Sequence, residues 1–265
     1  MLNLTRPGKP AQTLGRWVRV EQAVYGSFPF RTQGFGLLAR SAGCEPGWIA
    51  AFKQACEQFG ERPTGAEATG AWSAQKLAKG PWMLIGTSEQ GADDRGRPGA
   101  LGFHALFIPA RAYLQAGATP FPWLNRFQTR WSVDCDGQNL AAFDLPEPEP
   151  VDLQALAGTE ISPHRIDAAV YAMQQRRRLV IESACPIDAW IAAVLNRLPV
   201  RTRERLQVTN WSFGSAPGFD LAGVPARSGK QRFSGALGLA DLDAIALPRQ
   251  ERARIWNWAK QVLGH

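Results

Sequence analysis

The side chains able to do acid–base, nucleophilic or metal chemistry are few and scattered. Histidine stands at positions 104, 164 and 265, and cysteine at 44, 56, 135 and 185. A zinc site draws on Cys and His at short fixed spacings such as Cys-x-x-Cys, and no such pair is present. We expect no metal site and no disulfide framework, since the latter belongs to small, cysteine-dense secreted chains. His104 lies in the apolar run LGFHALFI at 101–108. As a general base it would need a nucleophile such as Cys44 or Cys135 beside it. With no flanking signature it reads as a packed strand histidine, and His164, just after Ser162 and Pro163, as a surface residue in a helix's first turn. Asp93 and Asp94, or Asp134 and Asp136, have the chemistry for a hard cation but not the spacing of a calcium loop, and turn aspartates account for both pairs.

Phosphate and acyl chemistry also lack their signatures. Gly229-Lys230 is missing the upstream glycine and the following Ser or Thr of a phosphate loop, and Gly34-Phe-Gly36 is missing the third glycine of a dinucleotide turn. No Gly-x-Ser-x-Gly elbow occurs. The expectation is a chain with no catalytic residues and no cofactor.

Binding chemistry is better represented. The formal charge is +7, of which +2 falls in residues 1–150 and +5 in 151–265. Arg176, Arg177 and Arg178, with Arg201, Arg203 and Arg205, are the basic clusters able to neutralise phosphates. The first also suits a helix C-terminus, where cations favour the dipole. Arg252, Trp256 and Lys260 fall at i, i+4 and i+8 of a C-terminal helical pattern, beside a core-like face of Ile255, Ala259, Val262 and Leu263. A Trp between two cations can anchor a protein partner or simply stack locally. No recognition motif accompanies the charge, so a protein partner is preferred over nucleic acid.

The elements that must position these residues are those of an α/β (α+β) chain. Its 45% apolar content suits a globular core. Residues 1–15 read as a polar, flexible lead-in without a secretory signal, and no apolar run is long enough to span a bilayer, so a cytoplasmic protein is expected. Residues 16–150 form a strand-rich part, with strands at 17–25, 35–39, 82–86 and 101–108. One helix at 46–59 opens on Pro46, and a glycine-rich mobile loop occupies 88–100. The proline alternation at 144–151 reads as an extended linker, which places a boundary near 150. Residues 151–265 read as a sheet flanked by helices. A helix at 163–177 comes first; the strand at 179–182, the helix at 186–198 and the strand at 206–213 then form a strand–helix–strand unit, and a last helix occupies 249–263.

Two stretches taken together resemble a known family. The first is Glu21-Gln-Ala-Val-Tyr-Gly-Ser27 followed by Gly34-Phe-Gly-Leu-Leu-Ala-Arg-Ser41. The second is Ala192-Ala-Val-Leu-Asn-Arg-Leu-Pro199, then 203–206, Val208-Thr-Asn-Trp-Ser-Phe213 and Phe219-Asp-Leu-Ala-Gly223. They resemble the N-terminal and middle domains of the GTPase-associated proteins of bacterial conflict and signalling systems, over most of residues 17–226. The resemblance implies a non-enzymatic adaptor whose protein partner is a GTPase, and it carries no catalytic residues onto this chain. Nucleic-acid binding, or an enzyme with an unrecognised site, is the alternative.

Overall fold

Long strands dominate the first half because apolar residues there occupy both alternating sets of positions, which suits strands covered on both faces. The computed structural model describes residues 17–29, 31–59, 70–131, 140–213, 218–225 and 235–247. Strands β1 (Trp17–Gly26), β2 (Gly36–Arg40), β3 (Gly70–Lys76), β4 (Trp82–Ala92), β5 (Pro98–Ile108) and β6 (Phe143–Pro146) pair antiparallel. Strands β7 (Arg178–Ser183), β8 (Val208–Thr209), β9 (Leu221–Pro225) and β10 (Ala236–Leu237) are parallel. All join one sheet in the order β10-β7-β9-β8-β3-β4-β5-β1-β2, with β6 also on β1. The sheet therefore crosses residue 150 without a break, at the antiparallel pairing of β3 with β8.

Helix α1 (Pro46–Gln58) covers one face. Its Ile49, Phe52 and Cys56 pack on Tyr25, Met83, Ile85, Phe103 and Phe107. The other face carries α2 (Ala110–Gln115), a 3-10 turn (Phe121–Arg126), α3 (Leu153–Ala157), α4 (Pro163–Gln174), α5 (Asp188–Asn196) and α7 (Leu239–Asp243). Their apolar residues merge with Val18, Val20, Trp72, Trp82, Leu106 and Leu179 into the larger core. The short α6 (Val200–Arg203) follows α5.

Three expectations are corrected. Residues 88–100 are not a loop but the tip of the β4–β5 hairpin. Asp93 closes the tip by accepting from the backbone N–H groups of Arg95 (2.9 Å) and Arg97 (2.8 Å) and from Arg97 Nε (2.7 Å). The glycines that suggested a loop lie in the left-handed region at Gly91, Gly96 and Gly99, two of them inside strands, where a bulge absorbs the irregular backbone. The strand expected over 206–213 shrinks to Val208–Thr209, because the Asn210 side chain takes the ladder position of a backbone carbonyl by accepting from Trp72 N (2.7 Å). The unit β7-α5-β8 is parallel as expected, but β9 is inserted between its two strands. Helix α4 stops at Gln174 rather than 177. Arg176 there adopts φ 57°, and Arg177 N donates back to Ala172 O (2.9 Å), a Schellman-type stop. The helix expected over 249–263 lies outside the described residues.

Candidate partner-binding surface

The groups that sequence reading singled out for chemistry are occupied by the fold. His104 faces the helix-rich side of β5 and is buried. Gln128 N donates to its Nδ1 (3.0 Å), which leaves Nε2–H to donate to Gln22 Oε1 (2.8 Å). Phe127 and Trp131 meet the ring edge-on. Burial holds the imidazole neutral, with its pKa lowered to about 3. Both ring nitrogens are thus committed to protein partners. Cys44 lies in the same neighbourhood, its Sγ 3.4 Å from Gln22 O and 3.5 Å from Ser41 Oγ, and burial pushes its thiol up, away from the thiolate a nucleophile needs. Cys56 is pushed well up for the same reason. Burial pushes Glu21 up as well, but hydrogen bonds from Ser41, Arg19 and Gly43 hold it below the ordinary carboxylate range. Asp94 ties the hairpin tip to the β1–β2 connection through Ser27 Oγ (2.9 Å) and Gly34 N (3.0 Å). Cys185 is exposed; Cys135, Asp134, Asp136 and His265 lie outside the described residues.

A second polar knot, not foreseen, fastens the two halves together. Trp72 Nε1 donates to Asp188 Oδ1 (2.7 Å), and Asn210 Nδ2 donates to Asp188 Oδ2 (3.0 Å). Thr209 Oγ1 and Asn210 N both donate to Trp72 O (3.0 Å each). A signal was present: two of these residues sit in the Val208–Phe213 stretch that carries the family resemblance.

The basic clusters are brought to one end of the sheet. A register line runs through Leu179, Leu221, Val208, Ala74, Leu84, Leu106 and Gln22. Arg176 and Arg177, after the end of α4, and Arg178, the first residue of β7, lie just before it, Arg201, Arg203 and Arg205 on the approach to β8, and α2 just beyond the end of β5. Arg176, Arg177, Arg201 and Arg205 are exposed. Arg178 Nε donates to Phe219 O (2.9 Å). Arg203 is turned inward: Nε donates to Leu198 O (2.8 Å) and Nη1 to Gly117 O (3.3 Å), and burial lowers its pKa. Arg252, Trp256 and Lys260 lie outside the described residues.

The same end exposes large apolar side chains at Trp17, Leu114 and Val200; among the described residues Leu156 and, at the opposite end of the sheet, Phe35 are exposed as well. Leu114 shares the outer face of α2 with Arg111, opposite the buried Ala112, Tyr113 and Ala116. Val200 lies one helical turn before Arg203.

Residues 19–151 match GTPase-associated protein 1, N-terminal domain type 2. The chain belongs to this family. The matched segment spans β1 to β6, with α1 and α2, and ends in the proline-rich run. It contains the first of the two resembling stretches, while the second lies beyond it. No curated protein matches the chain. Among the described residues, no helix is long and apolar enough to cross a membrane.

Proposed function

We propose that this protein is a non-enzymatic adaptor that binds another protein, a GTPase, in a bacterial conflict or signalling system. The observation that carries the reading is family membership across the antiparallel half of the sheet. Two features support it. The His104 and Cys44 groups are tied into structural hydrogen bonds rather than presented to a cleft. Exposed leucine and valine side chains stand beside arginines, a composition that suits a protein interface. A reducing, cytoplasmic setting fits the buried free thiols Cys44 and Cys56.

Nucleic-acid binding is the competing reading, favoured by the convergence of Arg176, Arg177, Arg178, Arg201 and Arg205 on one end of the sheet. The two separate in one experiment. The tagged full chain is captured from its host with and without nuclease, the retained proteins are identified, and bound guanine nucleotide is released and quantified by chromatography. The adaptor reading expects one protein near equal stoichiometry, carrying guanine nucleotide and indifferent to nuclease. Retention of nucleic acid without such a protein overturns it.

A further inference from the structure

Hydroxyl groups interrupt the apolar layer between α1 and the sheet. Along β3, Ala71, Ser73 and Gln75 share the face toward α1. Ser73 is 3% exposed there, and Ser212, just beyond β8, is 1% exposed. Ser27, Ser41 and Thr209 are buried too, but each of their hydroxyls bonds to protein, at Asp94 Oδ1, Gln22 O and Trp72 O. The Ser73 and Ser212 hydroxyls make no hydrogen bond among the described residues. Taking a hydroxyl out of water without a new partner costs free energy, and alanine would pack there without that cost. Two such groups at one place point to a use other than packing.

Both serines line one cleft between the C-terminal half of α1 and strands β3, β4 and β5. Its volume is about 340 Å³ with the open mouth included, and its closed depth holds about one water. Burial grades its polar groups from floor to rim: Ser73 and Ser212 are buried, Gln75 is half-buried and Gln58 is exposed. Neither glutamine amide is bonded among the described residues. Phe59, Phe103 and Phe219 supply aromatic walls, the first two edge-to-face at 5.6 Å. None of the lining residues carries a charge.

We propose that this cleft binds a small uncharged ring compound whose edge carries an N–H beside a C=O, a cyclic amide or imide. The class follows from the lining. A glutamine amide offers donor and acceptor side by side, and a hydroxyl offers both, so together they match an edge on which N–H and C=O alternate. Phenylalanine walls suit a flat ring. A charged ligand would lose its water here and meet no opposite charge. The volume lies at the low end of the range for small-molecule sites, which limits the ligand to about one ring. Its edge reaches the floor by replacing the water that the serines would otherwise hold. The inference goes beyond the adaptor reading and does not rest on it.

The test titrates the full chain calorimetrically with uracil as the probe. The controls are dimethyluracil, which keeps the ring but has no N–H, toluene, which is flat and apolar, and benzoate, which is flat and charged. Uracil should bind saturably at a single site per chain, and each control should bind at least about tenfold more weakly, the loss that goes with a missing hydrogen bond or an unpaired charge. Ser73→Ala and Ser212→Ala should each weaken uracil binding about tenfold, while the melting temperature of the ligand-free chain stays the same or rises. Gln58→Leu, on the exposed rim, should weaken uracil too, and it keeps the test decisive should a serine variant fail to fold. The proposal is overturned if uracil does not bind up to its solubility, if dimethyluracil or toluene binds as well, or if the variants keep full affinity. It is also overturned if both serine variants melt lower and no probe binds, because the hydroxyls then hold a structural water only. None of these results bears on capture of a protein partner, so the adaptor reading is decided separately.

Discussion

His104 shows how a residue with catalytic potential becomes structural. The apolar run around it signalled a packed histidine, and burial between β1, β5 and the 126–131 segment bears this out. Its partners Gln22 and Gln128 were not legible, because they lie 82 and 24 residues away and meet it only once the sheet is paired. The neutral ring has a consequence for stability. Unfolded, the imidazole titrates near 6.5; folded, near 3. Between those values the unfolded state binds the extra proton, so stability rises with pH and is lost as pH falls from about 6.5 toward 3. The slope is about 1.4 kcal/mol per pH unit, hence about 2 kcal/mol between pH 6.5 and 5. Carboxylates held low, such as Glu21, lose their contribution only at lower pH. Urea midpoints at pH 7, 6 and 5 should therefore decline in the native chain, and His104→Gln should flatten the decline. An imidazole that NMR shows titrating near 6.5 in the folded protein would contradict this.

Elements that obey simple periodicity were legible, and those ruled by a single long-range contact were not. Strand β1 and helix α1 were placed within a residue or two, because alternation and Pro46 specify them locally. Strand β9, inserted between β7 and β8, had no local signal. Gly223 on β9 shows the constraint that seats it there. A Cβ at this position would lie 2.2 Å from Asn210 O and 2.7 Å from Ile187 Cγ1, where only hydrogen fits. Gly223→Ala should cost about 3 kcal/mol in a denaturant titration. Gly47→Ala, where the added carbon meets no atom within 4 Å, should be neutral or stabilising by up to about 1 kcal/mol. Equal effects at the two sites would refute the close approach of β9 to the Asn210 strand. Asn210→Ala should cost about 1–3 kcal/mol, since it leaves Trp72 N without its acceptor in a buried place. Arg176, held at φ 57° in the α4 stop, offers the opposite case: Arg176→Gly should raise stability by about 1 kcal/mol, readable as a shift in the melting temperature.

At the scale of the whole molecule, the sequence conveyed the α/β class and the strand-rich first part, but not that β3 and β8 join both parts into one sheet. That union depends on the Asn210 side chain accepting from the Trp72 backbone N–H, 138 residues away, which no local pattern reveals. Nor could the sequence show that the union brings two separate arginine clusters to one end, beside exposed Leu114 and Val200. The charge of +7 drew attention to phosphate, whereas the fold turns Arg203 inward onto backbone carbonyls and leaves Arg176, Arg177, Arg201 and Arg205 exposed. The candidate surface was therefore legible only in its arginines. The salt dependence of binding tests the central claim, a protein partner rather than nucleic acid, most directly. The full chain is titrated with the protein it captures from its host, and separately with single- and double-stranded nucleic acid, at 50, 100 and 200 mM salt. The account predicts a protein complex that weakens less than about tenfold across this range, with no submicromolar nucleic-acid complex at physiological salt. A nucleic-acid complex tighter than the protein one, and losing about a thousandfold or more between 50 and 200 mM, would contradict it.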